Sequence, residues 1–422
     1  MRKFYLLSTF VLAILLGCTS YAQDFSNKGK DFWVAYGYHE RMTAAGGNSQ
    51  DMVLYFATDQ VTNITINIPG TGYTQNLTSP AGNNVLTSVA IPKAGAQDSR
   101  LLLDGLSNKG IHITSDKPIV AYAHIYNGSC SGATILFPTN TLGKEYYSIN
   151  YKNISNFNNA NCWFYVVAAD TGTTTVQIIP SAATLGGWAA GSVNTITLTQ
   201  GQVYNVMGTF TNAPPNPANG VDLTGSKITS IATASGGCKK IAVYSGTGRI
   251  SITCNNNSSS SDNYMVQAFP KTAWGKKYLT ASAAGNQSNN IYRICVSDPT
   301  TVVRINGVVT ALPLQGNFYY EIAATNQPQL IEADKPVTVA QYFTSQGACG
   351  NGQPGDPEVI YLSPVEQNIN KVLWNATPNF LILAHYFNVV IPNTGTAVSS
   401  FRLDGMESIY IIQKLRPRLQ SK

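Results

Sequence analysis

The feature of this sequence that most constrains its fold is an internal repeat. Three landmarks recur in order: a Gly-Lys-x-(Tyr/Phe) motif, two strand-like runs joined by an acidic turn, and an apolar strand preceded in two copies by Asp-Lys-Pro. Each copy then closes with an apolar run that ends in proline. The copies begin at Gly29, Gly143 and Gly275, turn at Asp59, Asp170 and Asp298, and close at Pro138, Pro270 and Pro364. Such a repeat predicts one small fold used several times.

The repeat divides the chain into segments. We predict a leader, three copies of the β repeat, and a partial fourth copy that starts at Phe387 and is followed by a basic tail. In order these segments are residues 1–22, 23–142, 143–274, 275–367 and 368–422.

The runs within each copy have the pattern of β-strands. In the stretch Thr173-Thr-Thr-Val-Gln-Ile-Ile-Pro180, alternate residues fall on two faces, which indicates one buried and one wetted face. Short runs bounded by Gly, Pro, Asn or Asp predict an all-β fold with very little helix, built from repeated antiparallel four-stranded units. Two arrangements fit: β-propeller-like blades, which the regular pairs of hairpins favour, or tandem β-sandwiches, which explain the copy length more simply. We favour blades.

The N-terminus has the pattern of a secretory leader. Arg2 and Lys3 precede an apolar stretch over residues 4–17, and a small-x-small cleavage pattern ends at Ala22. This predicts secretion, or display on the outer cell surface, after cleavage near Ala22. A second interpretation is a bacterial lipobox that ends at Cys18, which would anchor the chain through a lipid. No later stretch is long and apolar enough to predict a membrane span.

Six cysteines follow the leader, and an even number in an exported chain predicts disulfides. Matching positions in the copies suggest Cys130–Cys162, Cys254–Cys295 and Cys238–Cys349. An equally good scheme pairs Cys238 with Cys254 and Cys295 with Cys349. No CxxC motif occurs and the four histidines do not flank the cysteines at metal-ligand spacing, so we predict no metal site. The acidic turns are interpreted as turn formers, since no calcium-loop motif surrounds them.

Composition and motifs argue against several functions. Charged residues make up 11% of the chain, the net charge is +6, and no basic cluster occurs outside the C-terminal tail. A surface that binds nucleic acid would need clustered Lys and Arg, so this function is not predicted. No nucleophile elbow, zinc-protease motif, phosphate loop or dinucleotide fingerprint occurs. We therefore predict no cofactor and no catalysis, and a carbohydrate-active enzyme is the least favoured alternative.

Several runs resemble a known family. The stretch GDPEVIYLSPVEQ from Gly355 to Gln367, the stretches that begin at Phe137 and Phe269, and the Asp-Lys-Pro strands are similar to the N-terminal domain of the IgG Fc-binding protein family. That family includes a secreted animal mucus protein and exported bacterial proteins. The leader ending in Ala-Gln resembles those of Bacteroidetes-like members, in which the chain would be part of a larger protein or a truncated product.

The resemblance implies extracellular binding without catalysis, and it supplies no binding residues. We expect an adhesin-like module at the cell surface or in secretions that recognises an unidentified protein or glycoprotein. The alternative is a structural spacer of the cell surface or a biofilm matrix.

Overall fold

A computed structural model describes residues 27–82, 87–233, 236–374, 385–392, 394–403 and 406–407. Over these ranges the predicted fold class is confirmed: the elements are antiparallel β-strands and seven short 3-10 turns. No helix in the described ranges is long and apolar enough to cross a membrane. The leader, Cys18 and the C-terminal tail lie outside the described residues. The 3-10 turns are Glu40–Met42, Pro69–Thr71, Gly95–Gln97, Thr139–Thr141, Lys271–Ala273, Gly285–Gln287 and Val365–Gln367.

The first group of strands, called unit 1, is organised around one long strand. Its strands are β1 (Gly29–Val34), β2 (Asp51–Ala57), β3 (Thr62–Ile68), β4 (Tyr73–Ser79), β5 (Thr87–Ala90), β7 (Ile111–Tyr126) and β8 (Ser131–Ile135). The first half of β7 pairs with β1 and β3, and its second half pairs with β2 and β8. One strand therefore belongs to two four-stranded sheets, whose facing sides share a core.

Unit 2 has the same two sheets, but its central strand is interrupted. It contains β9 (Glu145–Tyr147), β11 (Cys162–Ala168), β12 (Thr173–Ile179), β13 (Asn194–Thr199), β14 (Val203–Met207), β17 (Lys227–Ile231), β18 (Ile241–Ile250) and β19 (Asp262–Gln267). The orders are β13-β12-β17-β9 and β19-β18-β11-β14-β6, where β6 (Gly105–Ser107) is supplied by unit 1. A separate small sheet joins β10 (Ile154–Ser155), β16 (Ala218–Gly220) and β15 (Phe210–Thr211).

Unit 3 repeats the pairing of unit 1 strand for strand. Its strands are β20 (Gly275–Leu279), β21 (Asn290–Val296), β22 (Val303–Ile305), β23 (Val308–Val309), β24 (Tyr319–Thr325), β25 (Leu330–Phe343) and β26 (Glu358–Leu362). The long strand β25 pairs with β20, β21, β22 and β26. A last short hairpin joins β27 (Arg402–Leu403) to β28 (Met406–Glu407). The four predicted segment boundaries stay a prediction.

The strand order favours sandwiches over propeller blades. In a blade successive strands are neighbours, whereas here the long strand of a unit separates strands that lie far apart in sequence. In unit 2 the two sheets enclose a common core: Phe164 and Val166 face Val176 and Ile178. The blade arrangement that we favoured from the sequence is therefore wrong in its topology, because period-2 patterning reports strands but not their order.

The landmark glycines and prolines lie against each other. A side chain added at the first glycine of each unit would collide with the closing proline of the same unit, so only glycine lets the first strand pack there. The added Cβ would lie 2.3 Å from Pro138 at Gly29, 2.4 Å from Pro270 at Gly143, and 2.2 Å from Pro364 at Gly275.

The three acidic turn residues have different partners, and Asp59 forms an ion pair with Lys28 at 2.6 Å. Asp298 accepts a hydrogen bond from the Thr300 backbone N–H at 2.9 Å, as predicted for a turn former. Its ion pair with Lys335, 2.5 Å long, lowers the pKa of Asp298 to about 2. Asp170 instead accepts the backbone N–H of Lys240, 70 residues away, so its role is to tie two strands together.

Unit 1 and unit 2 share one aromatic core. The outer face of β11 and β18 presents Trp163, Tyr165 and Tyr244 to unit 1, where all three are buried. Each donates a hydrogen bond to a unit 1 backbone carbonyl. The acceptors are Tyr38 at 2.8 Å for Trp163, Ala35 at 2.5 Å for Tyr165, and Trp33 at 2.7 Å for Tyr244. Because buried polar groups need partners, the two units depend on each other.

Unit 2 and unit 3 are joined through a buried arginine. The guanidinium of Arg293 on β21, whose side chain is 4% exposed, donates to Asp222 at 2.6 Å in unit 2 and to Glu321 at 2.8 Å in unit 3. It also lies over the rings of Tyr151 and Tyr319, 4.3 and 4.2 Å from their centroids. The charge is therefore paired on both sides of the seam, as a buried charge must be.

Candidate binding surface

The structure pairs the cysteines differently from both sequence schemes. One disulfide joins Cys254 to Cys349, with their Cα atoms 5.4 Å apart, and neither scheme contained that pair. The other candidates are free thiols: Cys130, Cys162 and Cys295 are buried and Cys238 is partly exposed. The first scheme extended one pairing rule from copy to copy, and the second placed Cys238–Cys254 within one hairpin, whereas the bond joins matching loops of units 2 and 3.

The disulfide is expected to stabilise the seam between units 2 and 3. It spans 95 residues of sequence, and a disulfide typically contributes about 2–4 kcal/mol to stability. The double variant C254S/C349S should lose about that much free energy of unfolding, measured by urea denaturation. The single variant Cys238→Ser is the control and should leave the free energy within about 0.5 kcal/mol of the parent.

The three buried thiols should be less reactive than the partly exposed thiol of Cys238. Burial raises the pKa of Cys130, Cys162 and Cys295 well above the ordinary thiol range, so these side chains should not react with a thiol reagent in the folded protein.

The first residue of β19 is a buried carboxylate. Asp262 is 5% exposed and accepts the backbone N–H groups of Ser131 from unit 1 at 2.6 Å and of Asn263 at 2.7 Å. Burial, and then the neighbouring charge of Asp356, raise its pKa well above the usual range. The folded protein therefore favours the protonated form of Asp262, and stability should rise as the pH falls through that raised pKa.

Replacement by asparagine tests this pH dependence. Asp262→Asn keeps the acceptor oxygen and removes the charge, so it should be more stable than the parent at pH 8, and the difference should vanish toward pH 4, near the pKa of an unfolded aspartate of about 3.9. Thermal denaturation across this range measures it. A variant that is less stable than the parent at pH 8 would show that the ionised carboxylate is favourable.

No metal site is found among the side chains that the structure describes. No group of three or more His, Cys, Asp or Glu residues has the geometry to hold a metal ion. His39 and His124 are buried separately, and burial lowers the pKa of His39 to about 3 and that of His124 to about 4. Both rings are neutral at ordinary pH and act as packed core residues.

The strongest candidate for binding is an apolar surface on unit 2, which we call the apolar rim. Three leucines are exposed there: Leu103 by 79%, Leu106 by 58% and Leu185 by 47%. Beside them the half-buried rings of Trp188 and Tyr204 stack in parallel, 5.3 Å apart. Clustered exposed apolar side chains on a polar protein mark an interaction surface.

The rim forms because a segment of unit 1 crosses onto the unit 2 sheet. Leu101 is buried in the unit 1 core, and the chain then leaves that core and pairs as β6 with β14, placing Leu106 opposite Tyr204. The carbonyl of Leu103 accepts the side-chain amide of Asn205 at 2.9 Å. These bonds hold the backbone of Leu103 and Leu106 against β14, while both side chains are exposed.

The second side of the rim is the connection between β12 and β13. The backbone N–H of Leu185 donates to the Met207 carbonyl at 2.8 Å, which holds this connection against β14. Asp104 accepts the backbone N–H of Met207 at 2.7 Å, and burial raises the pKa of this carboxyl. The five rim side chains themselves carry no charge, so the rim suits a neutral, apolar partner surface.

Sequence reasoning did not identify the rim. Leu103 and Leu106 belong to a run of leucines that reads as core, and Trp188 and Leu185 lie in a connection with no motif. A warning signal was present: the Leu-Leu-Leu-Asp-Gly-Leu stretch has more apolar residues than a period-2 strand with one buried face can bury.

The fold and this surface define a class: an all-β protein with an exposed apolar surface. The family model described as "IgGFc binding protein" matches residues 132–419, more than half of the chain, so the chain belongs to that family. It is also similar to the human IgGFc-binding protein, with 25% identity over 297 residues. That alignment covers 69% of this chain but 5% of the human protein.

Proposed function

We propose that this chain is a non-catalytic extracellular module that binds another protein through the apolar rim. The observation that carries the proposal is that three exposed leucines, Leu103, Leu106 and Leu185, are all bonded through their backbone to β14. The same strand carries Tyr204, whose ring stacks on Trp188. Aromatic and aliphatic anchors of this kind dominate protein interfaces. The family membership supports the same function. Secretion after cleavage near Ala22, a lipid anchor at Cys18 and a bacterial origin belong to this proposal.

The names of the family and of the human relative suggest the first partner to test, the Fc part of immunoglobulin G. We expect residues 23–422, immobilised on a sensor, to bind purified human Fc saturably. The substitution Leu185→Asp places a charge in the rim and should weaken binding at least about tenfold, which is about 1.4 kcal/mol. The matched control is Val308→Asp, which replaces a similarly exposed apolar side chain on unit 3.

The outcomes separate the rim from other surfaces. If Leu185→Asp and Val308→Asp weaken Fc binding equally, the rim is not the binding surface. If Fc does not bind, serum and mucus glycoproteins are tested with and without enzymatic deglycosylation. Loss of capture on deglycosylation would place recognition on glycan, in line with an adhesin-like module for glycoproteins.

A structural spacer is the second candidate function. The favouring observation is that all three units are joined by shared cores, the Arg293 cluster and a disulfide. A folded chain that captures no protein from either source would support the spacer.

A further inference from the structure

We propose that the partner presents an extended segment to the apolar rim, and that this segment adds to the outer edge of β6 as a further antiparallel strand. This inference rests on the proposed binding function and specifies the shape and chemistry of what is bound. The ligand class is a neutral extended peptide in which large apolar residues alternate with small polar ones.

The first argument is the position of β6. It is the terminal strand of the five-stranded sheet of unit 2, and within the described ranges it pairs only with β14. An edge strand presents backbone N–H and C=O groups in the spacing that another extended chain requires.

The second argument is the origin of β6. The unit 2 sheet is already extended at this edge by a strand that comes from another unit: Gly105, Leu106 and Ser107 pair with Asn205, Tyr204 and Val203. In unit 1 and unit 3 the strands equivalent to β14, which are β5 and β24, are themselves the last strands of their sheets in the described ranges. The interface between units 1 and 2 is therefore itself a case of strand addition, and an added peptide would continue it by one strand.

The third argument is the absence of the usual protection. Edge strands that avoid other chains carry a charged residue, a proline or a bulge. The sequence Gly-Leu-Ser of β6 has no charge and no proline, and its pairing with β14 is in regular register. Asp104, next to the strand, does not protect the edge from pairing, because its carboxylate accepts a hydrogen bond from the Met207 N–H.

The fourth argument concerns side chains. Residues that alternate along an added strand point alternately to the two faces of the sheet. On one face the rim offers Leu106 and the Trp188–Tyr204 stack. Because β6 is only three residues long, backbone pairing alone is a small contribution, and the apolar side chains must supply most of the affinity.

Peptide arrays test the proposal without any assumption about the natural partner. One set holds twelve-residue peptides in which Val, Leu or Phe alternates with Thr or Ser. The second set has the same composition with the apolar residues at helical spacing. We expect the folded chain, residues 23–422, to bind the alternating set at least about tenfold better than the helical set.

A variant and an exchange measurement locate the contact. Leu106→Lys should weaken binding of the best alternating peptide at least about tenfold, whereas the control Val308→Lys should leave it unchanged. Amide hydrogen exchange should slow at residues 105–107 when the peptide is bound, as expected for newly paired backbone.

Equal binding of the two peptide sets, or no binding of either, would overturn the proposal. So would binding that depends on Leu106 but leaves exchange at residues 105–107 unchanged, since that result indicates side-chain contact without strand addition. Failure of Fc to bind would contradict only the choice of Fc as partner, because the peptide result is independent of it.

Discussion

A fragment limited to residues 132–419, the region matched by the family, is expected not to reach a native state by itself. Removing unit 1 uncovers Trp163, Tyr165 and Tyr244, which are buried against it, and leaves their polar atoms without the unit 1 carbonyls. It also deletes β6 and opens the edge of β14. Burial of each large apolar side chain contributes about 1.5–3 kcal/mol, so the loss is comparable to the whole stability of a domain.

The measurement compares this fragment with residues 23–367, which keep all three units and lack the C-terminal part. We expect the fragment of residues 23–367, which keeps all three units, to give a cooperative thermal transition and sharp near-UV circular dichroism. The fragment without unit 1 should bind a hydrophobic dye and show no cooperative transition. If residues 132–419 unfold cooperatively with the same midpoint as the full chain, the shared aromatic core is not essential.

The second large effect is expected at Arg293. The substitution Arg293→Met retains the apolar part of the side chain and removes the charge that Asp222 and Glu321 share. Two carboxylates then remain at the seam without their cation, and removing one partner of a buried ion pair costs about 3–5 kcal/mol. Because both carboxylates are partly exposed, we expect a loss near the lower figure, measured as the change in free energy of unfolding in urea.

The matched control is Arg304→Met on β22 of the same unit. Arg304 is exposed, so this substitution should change the free energy by less than about 0.5 kcal/mol. The variant Arg293→Lys is informative as well, because a lysine cannot form the two-sided fork of a guanidinium and should recover only part of the loss. Equal stability of the Arg293→Met and Arg304→Met variants would mean that the seam is held by its apolar core alone.

Local pattern determined the all-β character of this protein. Alternation in runs such as residues 173–180 is a property of neighbouring residues, so it predicts a strand without knowledge of its partner. The landmark glycines and prolines were also readable, and the structure supplies their reason, since the Gly29 and Pro138 atoms leave no room for a side chain.

Contacts between residues that lie far apart in the sequence could not be predicted from it. The bond between Cys254 and Cys349 was missed because pairing depends on which loops meet in space, and loops of different units are brought together only after the units pack. The choice between blades and sandwiches, both of which fitted the sequence, was made wrongly for a related reason. The order of strands in a sheet is decided by which faces find a partner to bury against, and alternation is the same in either order.

The apolar rim is the clearest case of a feature that only the tertiary structure decided. The sequence determined that residues 101–106 are rich in leucine, and by itself such a run indicates burial. Leu101 is indeed buried, but β6 must cross from unit 1 to the edge of the unit 2 sheet, and no element beyond that edge covers Leu103 and Leu106 in the described ranges. Whether an apolar residue is core or surface depends on what lies opposite it, and that is settled by packing between units.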